Sequence, residues 1–164
     1  MLRSRFPRFA HRLAAVAVAS LVLATTACDD DDPVSPPAAD GTYLLSSIEQ
    51  QGSAACTIGA TGCTLSNTGT EVIVVDDGTL ALAANGTFTL VVNGSVDGVD
   101  EELGEATGTW VRTASGVTLN IPGLGVPLTG TFTSAAVDEL EFIVPGALFS
   151  AGTTGTVTIE FEKQ

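Results

Sequence analysis

The residues of this 164-residue chain that could carry acid–base or metal chemistry are few, and their positions narrow the field. Its one histidine, His11, sits in the leading segment. Beyond it the chain lacks both the commonest general base and the commonest metal ligand. Serine and threonine are plentiful, but there is no Gly-x-Ser-x-Gly elbow and no glycine-rich phosphate loop ending in lysine. Asp97, Asp100, Glu101, Glu102 and Glu105 form the densest acidic cluster. Calcium takes about six to eight oxygens, but the spacing lacks the alternating acids and glycine of a helix–loop–helix calcium site. A solvated loop is the expected reading. As a glycosidase pair these carboxylates would also need aromatic platforms, which the chain hardly has. The expectation is a non-catalytic protein without cofactor or metal. Arg112 remains as a single cation sharing a strand face with Trp110, because residues i and i+2 point the same way. Facing inward, it would anchor a carboxylate ligand. Facing outward, at a rim, it would pair with an acid or stack on a ring. The rim is the favoured reading.

Charge is distributed asymmetrically. Arg3, Arg5, Arg8 and Arg12 precede residue 13, only Arg112 and Lys163 follow, and all 19 acids lie at or after Asp29. From residue 28 onward, 2 cations against 19 acids leave −17. A nucleic-acid binder needs clustered cations, so that class is excluded.

The start of the chain reads as an address. A basic stretch to His11 is followed by a 12-residue apolar run, Leu13–Ala24. About 20 apolar residues are needed to span a membrane, so the run has the size of a signal-peptide core instead. Thr25-Thr26-Ala27-Cys28 then resembles the lipobox of bacterial lipoproteins. That resemblance implies cleavage after Ala27, acylation of Cys28 and a membrane-anchored protein of the bacterial cell envelope, facing the periplasm or the exterior. Asp29–Asp32 and the prolines at 33, 36 and 37 form an acidic, extended tether with no apolar periodicity. The expected organisation is a leader (1–27), a tether (28–39) and one folded domain (40–164). With Cys28 acylated, Cys56 and Cys63 remain as an even pair in an oxidising compartment, bracketing a flexible stretch. A disulfide closing this ring is the expected outcome.

From Gly41 onward the apolar residues alternate with period two. Strands are expected at Thr42–Glu49, Glu71–Asp76, Thr79–Ala83, Thr87–Val92, Ser95–Val99, Glu105–Thr113, Val117–Ile121, Leu128–Ser134, Glu139–Val144 and Gly155–Lys163. Asp77-Gly78, Asn85-Gly86 and Asn93-Gly94 read as turns, Asn85-Gly86 most strongly. Asp100–Glu102 falls in a loop, as does Pro145–Thr154, whose Leu148-Phe149 pair is either a lip over a barrel mouth or a tuck into the core. The fold class is all-β: an antiparallel up-and-down β-barrel of about eight strands, or alternatively a β-sandwich.

The order of local motifs supports the barrel. Gly41-Thr42-Tyr43, Asn85-Gly86-Thr87-Phe88, Gly108-Thr109-Trp110, Gly116-Val117-Thr118-Leu119 and Leu140-Glu141-Phe142 follow one another. This series resembles the lipocalin-like, calycin-type domains of bacterial lipoproteins. The resemblance implies a barrel whose interior holds one small ligand or is filled by side chains. It also implies a cation packed over the opening aromatic, here Tyr43, for which Lys163 is the candidate near the C-terminus. The ligand-binding candidates are Phe88, Leu90, Trp110, Arg112, Leu119 and Phe142. The expected function is burial of a small apolar ligand in the barrel of an exported, lipid-anchored protein. The alternative is an acidic surface module, an inhibitor or scaffold for a basic protein partner, with a filled barrel.

Overall fold

The computed structural model describes residues 37–149 and 152–164. The leader, Cys28 and the acidic run Asp29–Asp32 lie outside the described residues. The described chain forms ten strands: β1 (Gly41–Gln50), β2 (Cys56–Thr57), β3 (Cys63–Leu65), β4 (Ile73–Leu82), β5 (Thr87–Val96), β6 (Val99–Arg112), β7 (Gly116–Asn120), β8 (Leu128–Phe132), β9 (Glu139–Pro145) and β10 (Thr156–Lys163). A single 3₁₀ turn, Gly146–Leu148, follows β9.

Every pairing is antiparallel, in the order β1-β10-β9-β8-β7-β6-β5-β4, and β4 pairs back onto β1. Eight strands therefore close an up-and-down barrel, the arrangement that removes the edges of a sheet. Alternation supplies the core. Tyr43, Leu45 and Ile48 of β1, Leu80 and Leu82 of β4, Leu140, Phe142 and Val144 of β9, and Val157, Ile159 and Phe161 of β10 are all buried. Their strand neighbours Thr, Glu and Ser face solvent, as expected of a sheet with one dry face.

Closure differs between the two ends. At the end where the chain enters, Gly41–Leu44 pair directly with Leu82–Thr79. Further along, β1 and β4 separate. There β2 lies on Ser47 and Ile48 of β1, and β3 lies on Ile73–Val75 of β4. No ladder joins β2 to β3 among the described residues; the Cys56–Cys63 disulfide joins them instead. The expected pair is thus formed, and it staples the seam of the barrel. The perimeter runs from eight strands at the entry end to ten at the other, and a barrel widens with strand number.

Three local expectations are corrected. Asp77-Gly78 is not a turn, because β4 runs unbroken through it with Asp76 as a bulge. Gly78 is buried there, where a Cβ would stand 3.2 Å from the Leu45 side chain and the Val91 carbonyl. Asn93-Gly94 is not a turn either. It lies inside β5, and the reversal occurs at Asp97-Gly98, both at positive φ (53° and 77°). Asp100–Glu102 consequently belong to β6 rather than to a loop. At both Asx-Gly pairs the glycine serves close strand approach instead of a turn, tightly at Gly78 and at Gly94 with no room for a Cβ, which would stand 2.0 Å from the Val74 carbonyl oxygen.

Candidate functional site: an apolar cavity at the wide end

The narrow end is filled. Tyr43 is fully buried (0% exposed), with its hydroxyl 2.8 Å from the Ala39 carbonyl and 3.1 Å from that of Val137. Lys163 donates to the Ala38 carbonyl (2.8 Å) while its ammonium lies 5.7 Å from the centre of the Tyr43 ring. Arg112 donates to the Pro37 carbonyl and stands 5.5 Å over the Phe132 ring. Three consecutive carbonyls, Pro37 to Ala39, are thus each taken by a side chain of the barrel. Burial raises the Tyr43 pKa above its ordinary value; Arg112 nearby lowers it, and Asp40 and Asp138 raise it further. The Trp110 indole N–H donates to the Ala83 carbonyl at this same end (2.9 Å). Above this floor Leu80, Leu119, Phe142 and Phe161 leave only about 20 Å³ unfilled, with Phe142 and Phe161 edge to face at 6.1 Å.

The wide end is different. A cavity of about 230 Å³ opens there between β5, β6, the β7–β8 loop and the β9–β10 connection. Leu90, Leu128, Val144 and Ile159 line it and also line the small void beneath, so the two are stacked along the barrel axis. Leu124 and the Leu148-Phe149 pair border the mouth. Leu148 is 44% exposed and Phe149 is half-buried against the core, so the pair forms a lip.

The hollow has a sequence cause. The inward positions of β6 are Gly104, Ala106 and Gly108, opposite Val92, Leu90 and Phe88. At Gly108 the Asn120 carbonyl oxygen (2.1 Å) and the Phe88 ring (2.9 Å) occupy the space where a Cβ would stand. At Gly104 a Cβ would meet nothing within 4 Å. Neighbouring Leu103 is the extra residue of a bulge against β5. Small residues on one wall and a wider perimeter together leave space at this end, whereas larger side chains fill the narrow end.

The remaining loops of the wide end are tied together by polar contacts. Buried Gln50 (7% exposed) donates to the Ser66 carbonyl and accepts from the Ser66 N–H, both at 2.7 Å. The Thr68 N–H bonds the Gly152 carbonyl (2.8 Å), and Asn67 bridges to Thr153. This polar stitching ties the β3–β4 connection to the end of β1 and to the β9–β10 connection. Period-two reading missed it, because its partners are single side chains and carbonyls in loops.

Of the candidate ligand-binding residues, Leu90 borders the cavity, Leu119 and Phe142 form its deeper floor, and Phe88 packs under Gly108. Trp110 and Arg112 lie at the opposite end. Of the acidic cluster, Glu105 lines the cavity, Asp100 and Glu101 border a separate hollow with Asp76 and Asp77, and Asp97 accepts from the Val72 N–H (2.9 Å). Among the described residues no group of His, Cys, Asp or Glu is arranged to hold a metal ion.

No protein-family model matches the chain, and no curated protein sequence matches it. Among solved structures it is similar to a chain described as a de novo design of a fluorescence-activating beta barrel, with a TM-score of 0.37 at 17% identity, over 76% of this chain and 93% of that one.

Proposed function

We propose that this protein is an exported, lipid-anchored binding protein that holds a small apolar ligand in the wide end of its barrel. The observation that carries the reading is the open cavity of about 230 Å³ with a predominantly aliphatic wall. An apolar cavity of about 150 Å³ already admits benzene-sized guests, so this one suits a ring or a short alkyl chain. A longer ligand would protrude past the Leu148 lip. Burial of each methylene contributes about 0.8 kcal/mol, which is the source of affinity in a site with few polar contacts. The lipobox-like Thr25–Cys28 supports anchoring at Cys28, and the disulfide fits an oxidising compartment.

Intact-mass spectrometry of the full-length protein tests both parts. Under denaturing conditions the expected species begins at Cys28 and carries a covalent diacylglyceryl mass. Under native conditions it carries an additional small molecule. An unmodified Cys28 with the leader attached would overturn the anchor, and a bare native mass that no apolar additive changes would overturn the binding reading. The acidic surface module would then be favoured by salt-sensitive capture of a basic protein.

A further inference from the structure

The cavity is lined by few polar groups, so what its ligand carries at the mouth is decided by the charges around the open end. The described chain has two cations, and both are at the narrow end. Arg112 is bound to the Pro37 carbonyl over the Phe132 ring, and Lys163 is bound to the Ala38 carbonyl over the Tyr43 ring. At the wide end the charged residues are carboxylates. Asp100, Glu101 and Glu102 lie in the stretch of β6 that runs directly into the cavity-bordering Leu103 and Gly104. Glu105 lines the cavity itself, and at about 3.4 Å per residue Asp100–Glu102 lie within roughly two Debye lengths of its Gly104 wall at physiological salt.

From this arrangement we infer that the ligand is a cationic amphiphile, with its apolar tail in the cavity and an ammonium-type head among the carboxylates of the wide end. The inference rests on the binding reading above and adds the chemical class of the ligand. An anionic head, such as a fatty-acid carboxylate, would sit in the repulsive field of the β5–β6 hairpin with no cation on its side of the barrel. A neutral head meets neither repulsion nor attraction. A head carried down to Arg112 would have to cross the Leu119, Phe142 and Phe161 layer, which has about 20 Å³ of free space.

The test uses the full-length protein at pH 7 with three probes of equal tail length, decylamine, decanol and decanoate, each titrated calorimetrically. Decylamine is expected to bind at least about tenfold more tightly than decanoate, with decanol between them. The ratio is expected to collapse toward one in about 1 M salt, where the Debye length is about 3 Å. Saturating decanol is expected to displace decylamine, and the cavity-filling change Gly104→Leu is expected to abolish its binding. If decanol binds but decanoate binds as tightly as decylamine, the head-charge inference fails and the cavity reading stands. If decylamine binds undiminished in saturating decanol, it is adsorbed to the acidic surface and the inference fails. If decanol shows no saturable binding, the cavity reading fails with it.

Discussion

The ammonium of Lys163 stands 5.7 Å from the centre of the Tyr43 ring and donates to the carbonyl of Ala38. The last strand of the barrel thereby holds the segment that leads into the first. Tyr43 completes the arrangement from inside, with its hydroxyl facing the Ala39 and Val137 carbonyls. The chain enters at a plugged end, and the cavity opens at the other.

That plug has a pH signature. Burial raises the Tyr43 pKa in the folded barrel above its ordinary value of about 10. Between the unfolded and folded values the unfolded chain has released a proton that the native state keeps. The stabilisation is therefore complete below about pH 10 and is lost as pH rises through the folded pKa. Tyr43→Phe is expected to cost about 1–2 kcal/mol at pH 7. It should also flatten the alkaline fall in stability, as measured by urea unfolding between neutral and strongly alkaline pH. An alkaline slope unchanged in the variant would contradict this role.

The Cys56–Cys63 bond spans the part of the seam where β1 and β4 no longer pair. Its ring of eight residues contributes about 2.5 kcal/mol in the chain-entropy model. A Cys56→Ser, Cys63→Ser double variant should lose about that much in chemical denaturation. Because β2 and β3 share no ladder, amide exchange should quicken at Cys56–Leu65 and Ile73–Val75 while the β6–β9 side keeps its protection. Uniform loss of protection around the barrel would argue against a seam staple.

Gly94 and Gly98 separate the two candidate sites for the β5–β6 reversal. A Cβ at Gly94 would stand 2.0 Å from the Val74 carbonyl oxygen, whereas at Gly98 it meets nothing within 4 Å and only the positive φ of 77° resists it. Gly94→Ala is therefore expected to destabilise by more than about 2 kcal/mol and Gly98→Ala by about 1 kcal/mol. The reverse order in thermal unfolding would place the turn at Asn93-Gly94 after all.

The strand-rich antiparallel class and the cysteine pairing were legible because each has a local signature, whereas closure, left open against a sandwich, depends on β1 pairing with both β10 and β4. Val117, Leu119 and Ile121 alternate, Asn85-Gly86 marks a hairpin, and Cys56 and Cys63 flank a short ring. The Asp77-Gly78 and Asn93-Gly94 assignments failed for one shared reason. A glycine needed for a turn and a glycine needed for close strand approach look the same until the neighbour is known, and those neighbours, Leu45 and Val74, are distant in sequence. The cavity was legible only in part. Leu90 is a plain inward strand residue, but the space in front of it exists because Gly104 and Ala106 lie across the β5–β6 ladder and because β2 and β3 widen the perimeter. Neither condition is visible in one segment. Arg112 could face either way until Pro37 and Phe132 were seen to hold it at the narrow end.

The central claim, that the wide end of the barrel is a binding cavity, is tested most directly by methyl-resolved NMR of the full-length protein during titration with decanol. The expected result is saturable shifts at the methyls of Leu90, Leu128, Val144 and Ile159, which line the cavity. The outward methyls of Val111 and Ile143 should stay still, and Gly104→Leu should abolish the response. Shifts confined to Val111, Ile143 and other outward methyls, or identical titrations of the native protein and Gly104→Leu, would contradict it.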